Sequence, residues 1–198
     1  MIRTALRAGA CAAPLLLAAC AAPPPPPPGG WYPPPPQAMR PPPVMAPARA
    51  DDFRSAMMAG HNAARRDFGV APLGWDPALA ADAGRWAAEM ARTDRFGHSP
   101  RDGRSFPQGE NIWRGSRGAY SPSVMVRTFT DEKRYFRSGT FPANSTTGNW
   151  RDVGHYTAIV WPTTTHVGCA LASSRAYDYL VCRYSPPGNR DGVRLAPR

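Results

Sequence analysis

Val167-Gly168-Cys169-Ala170-Leu171, followed closely by Asp178-Tyr179-Leu180-Val181-Cys182-Arg183-Tyr184, is the stretch that decides the fold class. Both pieces are short, apolar and rich in strand-forming residues, so they predict two strands of an antiparallel hairpin. Everything before them reads differently. Residues 139–152 form a loop. Ser121-Pro122 opens a helix that carries Val124, Thr128, Phe129, Glu132, Tyr135 and Phe136. Residues 99–120, rich in Gly, Ser, Pro and Arg, predict a long ordered loop with a brief extended Asn111-Ile112-Trp113. Earlier still, Asp76 is placed to cap a helix, with Pro77 in its first turn, where a missing N–H is harmless. Leu79, Ala83, Trp86, Ala87 and Met90 mark its buried stripe and Gly97 its end, while Glu89 and the other charged residues form a solvated face. The first helix starts at Asp51 or Asp52, runs to about Phe68 with Phe53, Met57, Ala64 and Phe68 on one face, and stops at Gly69. Helices come first and strands last, which makes the class α+β rather than a parallel α/β sheet.

Glu132 is out of place in this pattern. It lies three residues after Phe129 and three before Tyr135, which puts a carboxylate on the apolar face of the third helix. A buried carboxylate is expensive unless it is paired, hydrogen-bonded or beside a metal. The plainer alternative is a side chain at the stripe's edge that reaches water.

Residues 50–198 make one ordinary domain, long enough to bury a core. The stretch before it cannot. Fourteen of the 25 prolines fall between Ala21 and Arg49, in runs such as Pro23–Pro28, Pro33–Pro36 and Pro41–Pro43. Proline lacks the donor that helix and sheet require, so residues 20–49 predict an extended, disordered polyproline linker. Fully extended at ~3.1 Å per residue it reaches on the order of 90 Å. It either spaces the domain from a surface or offers Pro-rich ligands to a partner.

Residues 1–19 predict an export signal: Arg3 and Arg7, then a short apolar core ending in Pro14-Leu15-Leu16-Leu17-Ala18-Ala19. That core is shorter than the ~20 residues a bilayer span needs. Leu17-Ala18-Ala19-Cys20 resembles the lipobox of bacterial lipoproteins, which implies cleavage before Cys20, lipidation of its thiol, and a membrane-anchored protein of the bacterial cell envelope facing the periplasm or the outside. The alternative is an ordinary signal peptide with an incidental cysteine. With Cys11 lost in the signal and Cys20 lipidated, Cys169 and Cys182 remain as one candidate disulfide in an oxidising compartment.

The formal net charge of +10 rests almost wholly on arginine, Lys133 being the only lysine. The arginines are scattered (Arg65, Arg66, Arg85, Arg92, Arg101, Arg134, Arg151, Arg194), which predicts a solvated basic surface. No dense basic run interleaved with aromatics and no nucleic-acid motif is present, so nucleic acid is not an expected partner.

Four segments together resemble one known family. Gly154-His155-Tyr156-Thr157-Ala158-Ile159-Val160-Trp161 looks like the first signature of the CAP family (cysteine-rich secretory proteins, antigen 5, pathogenesis-related 1). Cys182-Arg183-Tyr184-Ser185-Pro186-Pro187-Gly188-Asn189 looks like the second. His98-Ser99 with Gly109-Glu110-Asn111-Ile112-Trp113 resembles a third, and His61-Asn62, Arg65, Gly69-Val70 and Pro72-Leu73 resemble the opening helix and turn. Two positions depart from the family pattern: Ala158 stands where Gln is usual, and Phe129 where Trp is usual. Arg190 also replaces a residue that is usually aromatic or aliphatic.

The resemblance implies a three-layer α-β-α sandwich with a central antiparallel sheet and a cleft facing His98, Glu110, Glu132 and His155. Two imidazoles and two carboxylates suit Zn²⁺, and less selectively Cu²⁺ or Ni²⁺. The alternative is a hydrogen-bonded network without metal. The resemblance also implies a lipid or small amphiphile as ligand; a monomer is expected. A binding or signalling module is therefore the leading expectation. The competing one is a metal-dependent hydrolase acting on peptides or cell-wall material, with Glu110 or Glu132 as base. Ser99 beside His98 is a poor nucleophile candidate, because adjacent residues rarely face each other and no third group is identifiable. His61, inside the first helix, is expected to hold structure through a buried hydrogen bond, and His166 to face solvent.

Overall fold

The computed structural model describes residues 50–102, 104 and 107–197, without the side chains of residues 50–52. The expected export signal 1–19, Cys20 and the Pro-rich stretch 20–49 lie outside the described residues, as do the side chains of Asp51 and Asp52.

Strand β5 (Tyr177–Ser185) organises the domain, and every residue from Asp178 to Tyr184 is buried. Side chains alternate along a strand, so burial of consecutive residues demands cover on both faces. On one face Leu180, Cys182 and Tyr184 join Met57, Phe68, Phe129, Tyr156 and Ile159. On the other, Tyr179 and Val181 join Ala83, Ala87 and Met90. The result is helix, sheet, helix: the expected three-layer sandwich.

β4 (His166–Ser173) pairs antiparallel with β5, and β2 (Gly109–Ser116) pairs antiparallel along the opposite edge of β5. The two-residue β1 (Gly74–Trp75) adds in parallel to β4, so the order is β1-β4-β5-β2 and the sheet is antiparallel apart from that edge. β3 (Gly139–Thr140) and β6 (Arg194–Leu195) form a separate ribbon. Cys169 and Cys182 are register partners on β4 and β5 and form the expected disulfide.

One layer is α2 (Pro77–Thr93). The Asp76 side chain accepts from the N–H groups of Ala78 and Leu79, as its sequence position predicts. Leu79, Ala83, Ala87 and Met90 are buried. Trp86 is half-buried and donates its indole N–H to Gly97 O at 2.9 Å. The helix ends earlier than expected. Asp94, at φ 52°, caps the helix in the left-handed conformation, one that Asp tolerates better than most residues, three residues before the expected end at Gly97. Asp82 departs from the expected solvated face: it is buried and accepts from Gln108 Nε2 at 2.5 Å as well as pairing with Arg85. Gly168 lets this layer approach the sheet, since a Cβ there would lie 2.2 Å from Ala80 N.

The other layer holds α1 (Ala50–Phe68), α3 (Pro122–Thr130) and α4 (Gly154–Ile159). Gly69, at φ 80°, closes α1 as expected. α3 is shorter than predicted, because the chain tightens into a 3₁₀ turn over Asp131–Tyr135. The buried stripe is Met125, Val126 and Phe129, while Thr128 and Tyr135 are exposed and Val124 half-buried. Packing against α1 sets this phase: a Cβ on Gly60 would collide with the Val126 side chain. Arg65 departs from the expected solvated surface. It is 1% exposed and donates to the carbonyls of Ala71, Ile159, Trp161 and Thr164, tying α1 to the end of α4.

Candidate functional site

Glu132 sits on the 3₁₀ turn after α3, and that change of helix type aims it at the start of α4. α4 has no side-chain cap of its own, because Val153 precedes it. Glu132 supplies one from outside. Its Oε2 accepts from the backbone N–H of His155 at 2.9 Å and of Tyr156 at 3.1 Å. Its Oε1 lies 2.6 Å from Nδ1 of His155. The carboxylate thus meets donors that a helix start leaves unpaired and fixes the imidazole borne by the same turn. Phe129, where the family usually has Trp, packs its ring 4.8 Å from that imidazole.

Glu110 begins β2 and His98 lies in the loop after α2. Glu110 Oε1 accepts from His98 Nδ1 at 2.7 Å, from Ser99 N–H at 3.0 Å and from Arg104 Nη2 at 3.4 Å. Its Oε2 pairs with Arg183 Nη2 at 3.0 Å across the β2–β5 ladder, where the two residues are register partners. Burial opposes ionisation of Glu110. The His98 hydrogen bond, the Arg183 charge and the Ser99 N–H outweigh it and hold the carboxyl below its ordinary value.

The structure therefore joins the four expected residues as two His–Glu pairs. In each, the carboxylate lies beneath the ring: Glu110 is 1% exposed under His98 at 60%, and Glu132 is 17% exposed under His155 at 32%. A carboxylate only accepts, so Nδ1 carries the proton when the ring is neutral. Nε2 of each ring then holds a lone pair and has no protein partner among the described residues. Asn111, next to Glu110 on β2, donates to His155 O at 3.0 Å, linking the strand of one pair to the helix of the other.

Among the described residues, only His61, Cys169 and Cys182 form a group of three or more ligand atoms within 4.8 Å of one another. The two sulfurs are bonded to each other, and both nitrogens of His61 are engaged, with Met57 O at 2.7 Å and Tyr184 OH at 2.8 Å. In the oxidised chain this group offers no open coordination. Burial, above all, lowers the His61 pKa to about 4, so the ring is neutral, as a structural histidine should be. His166 is exposed. Ser99 is buried, with its hydroxyl accepting from Arg104 Nε at 3.0 Å.

Sequence reasoning missed the two arginines that hold Glu110. Arg183 was visible inside a quoted motif, with a two-sided buried strand to explain it. Arg104 stands in a Gly- and Ser-rich loop whose local pattern carries no signal.

Fold and site together define an α-β-α sandwich that presents two carboxylate-anchored imidazoles. The chain belongs to the CAP family: the sequence model of the cysteine-rich secretory protein family matches residues 58–184. It is 34% identical over 145 residues to pathogenesis-related protein 1A of Nicotiana tabacum, covering 73% of this chain and 81% of that one. It is 35% identical over 149 residues to pathogenesis-related protein PR-1 of Medicago truncatula, covering 74% and 80%. Among solved structures, NaASP2 with Zn²⁺ superposes with a TM-score of 0.61 at 21% identity over 74% of this chain and 85% of that one. The venom allergen-like protein 4 of Schistosoma mansoni superposes at 0.56 and 18% identity, over 73% and 94%. Both share the fold.

Proposed function

We propose that this protein is an exported, lipid-anchored binding module of the CAP family whose ligand-contacting groups are the outward Nε2 atoms of His98 and His155. The carrying observation is the pairing of each Nδ1 with a less exposed carboxylate, at 2.7 Å and 2.6 Å. This is the arrangement by which carboxylates orient metal-bound histidines and raise their basicity. His98 and His155 are the groups that would hold a divalent ion such as Zn²⁺, with Glu110 and Glu132 acting through the rings. Cys20 would tether the domain to a bacterial envelope membrane through the Pro-rich stretch 20–49. Among the described residues, no helix is long and apolar enough to cross a membrane.

The test is calorimetric titration of the purified protein with Zn²⁺. His98→Ala and His155→Ala each abolish saturable binding, and Glu110→Gln or Glu132→Gln weakens it by roughly 10–100-fold. Binding unaffected by both histidine substitutions overturns the reading.

A second reading has its own observation. A groove of about 400 Å³ runs between α1 and α3, floored by Ala56, Ala59, Gly60, Ala63 and Val126 and rimmed by Arg127, Lys133, Asp67 and Asp131, with Lys133 paired to Asp67 at 3.5 Å. An apolar floor with a polar rim of mixed charge suits a small amphiphile, for which a fatty acid is a convenient probe. Ala59→Trp, which fills the groove from its exposed side, should abolish displacement of a fluorescent fatty acid. Undiminished displacement by that variant excludes the groove as the site.

A further inference from the structure

The far end of the sheet carries a feature that the paired histidines do not use. Arg114, on β2, places its guanidinium 5.3 Å from the ring centre of Phe96 and 4.7 Å from that of Tyr177. Phe96 follows α2, whereas Tyr177 opens β5, so three separate chain segments converge on one exposed cation. The rings are among the most exposed large apolar side chains described, Phe96 at 45% and Tyr177 at 37%. Aromatic rings left in water beside a guanidinium bring no stability that burial would not exceed.

The charge around this group is lopsided. Arg95 adjoins Phe96, Arg175 is two residues from Tyr177, and Arg117 is bonded to the same turn through its backbone N–H on Ala176 O at 2.9 Å. All three arginines are exposed, and none is ion-paired among the described residues. Asp94 is the nearby exposed acid, and it accepts from Tyr179 OH at 3.0 Å.

We infer that the surface formed by Phe96, Arg114 and Tyr177, ringed by Arg95, Arg117 and Arg175, docks an acidic segment of a protein partner. Three properties select that occupant. Exposed Arg and aromatic residues without Lys are what the energetic centre of a protein interface contains. A guanidinium between two rings is held in one orientation, and a fixed planar fork reads a discrete carboxylate better than diffuse surface charge. The unpaired arginines around it repel cations and speed the approach of an anionic partner.

The experiment uses the full chain and a short fluorescein-labelled peptide of alternating Glu and Ala, followed by fluorescence anisotropy at physiological ionic strength. The expected result is saturable binding that weakens at least about tenfold in Arg114→Ala and in Phe96→Ala, the size of a hot-spot truncation. Arg114→Lys, which keeps the charge but loses the fork, fails to rescue it. Arg151→Ala removes another exposed cation stacked on an aromatic, Trp150, and leaves binding unchanged. Thermal melts establish that each variant is folded; if one is not, Tyr177→Ala takes its place. Absence of saturable binding overturns the proposal, as does an equal loss in Arg151→Ala. It is also overturned if Arg114→Ala abolishes binding to vesicles containing phosphatidylglycerol but spares the peptide, which would assign the surface to a membrane.

Discussion

Oε2 of Glu132 accepts the backbone N–H of His155 at 2.9 Å while Oε1 of the same carboxylate meets the imidazole of that residue at 2.6 Å. One side chain therefore starts a helix and aims the functional ring that the helix carries. Stability and presentation of His155 are coupled through it. Glu132→Ala should cost about 2 kcal/mol or more, since it strips two helix-start N–H groups and a ring N–H of their acceptor. Glu132→Gln, which keeps one accepting oxygen, should lose roughly half of that. Urea unfolding checks both, and an Ala variant as stable as the parent contradicts the coupling.

His61 makes stability pH-dependent. Its pKa falls from 6.5 to about 4 in the folded chain, mainly through burial, with the Arg65 charge adding to the effect and the hydrogen bond to Met57 opposing it. Between those values the unfolded chain binds a proton that the folded chain does not. Stability is therefore unaffected by this group above about pH 6.5 and falls as pH drops towards 4, by about 3 kcal/mol in all. His61→Gln should flatten that part of the curve while lowering stability at neutral pH. A wild-type urea midpoint constant from pH 7 to pH 4.5, set beside an equally flat variant, rules this out.

The Cys169–Cys182 bridge spans a sequence separation of 13. By the chain-entropy estimate its removal costs about 3 kcal/mol. A Cys169→Ala, Cys182→Ala double variant should fold to the same structure with a lower melting temperature. Unchanged melting would place the stabilisation elsewhere in the hairpin.

Gly168 is required for layer packing. A Cβ there would come within 2.2 Å of Ala80 N and 2.6 Å of Asp76 O, and both are backbone atoms that cannot swing aside. Gly168→Ala should therefore destabilise by about 1–3 kcal/mol, as overpacking does. Gly118→Ala, with nothing within 4 Å of its Cβ but φ 69°, bears a backbone penalty instead. Melting temperatures compare them, and a Gly168 variant as stable as wild type would show that α2 can shift without cost.

How far the sequence revealed this molecule varied with the range of the interaction. The β5 run from Asp178 to Tyr184 was legible as a strand of a hairpin, and Asp76-Pro77 announced the start of α2 in adjacent residues. Glu132 was visible as an anomaly, yet its purpose depends on a residue 23 positions later, which periodicity cannot reach. The phase of α3 was misjudged because Gly60 on α1, far away in sequence, chooses which side of α3 is buried. The burial of Asp82 and Arg65 is hidden from the sequence for the same reason. Their partners, Gln108 and the carbonyls around α4, are brought to them only by the finished fold.

The account rests on two neutral imidazoles with the proton on Nδ1 and a lone pair turned outward on Nε2. Long-range ¹H–¹⁵N correlation spectra of the histidine rings report this tautomer directly. The predicted result is the Nδ1–H form for both His98 and His155, reverting to the tautomer mixture of free imidazole at His155 in Glu132→Ala and at His98 in Glu110→Ala. Finding the Nε2–H form at either ring in the unaltered protein would contradict it.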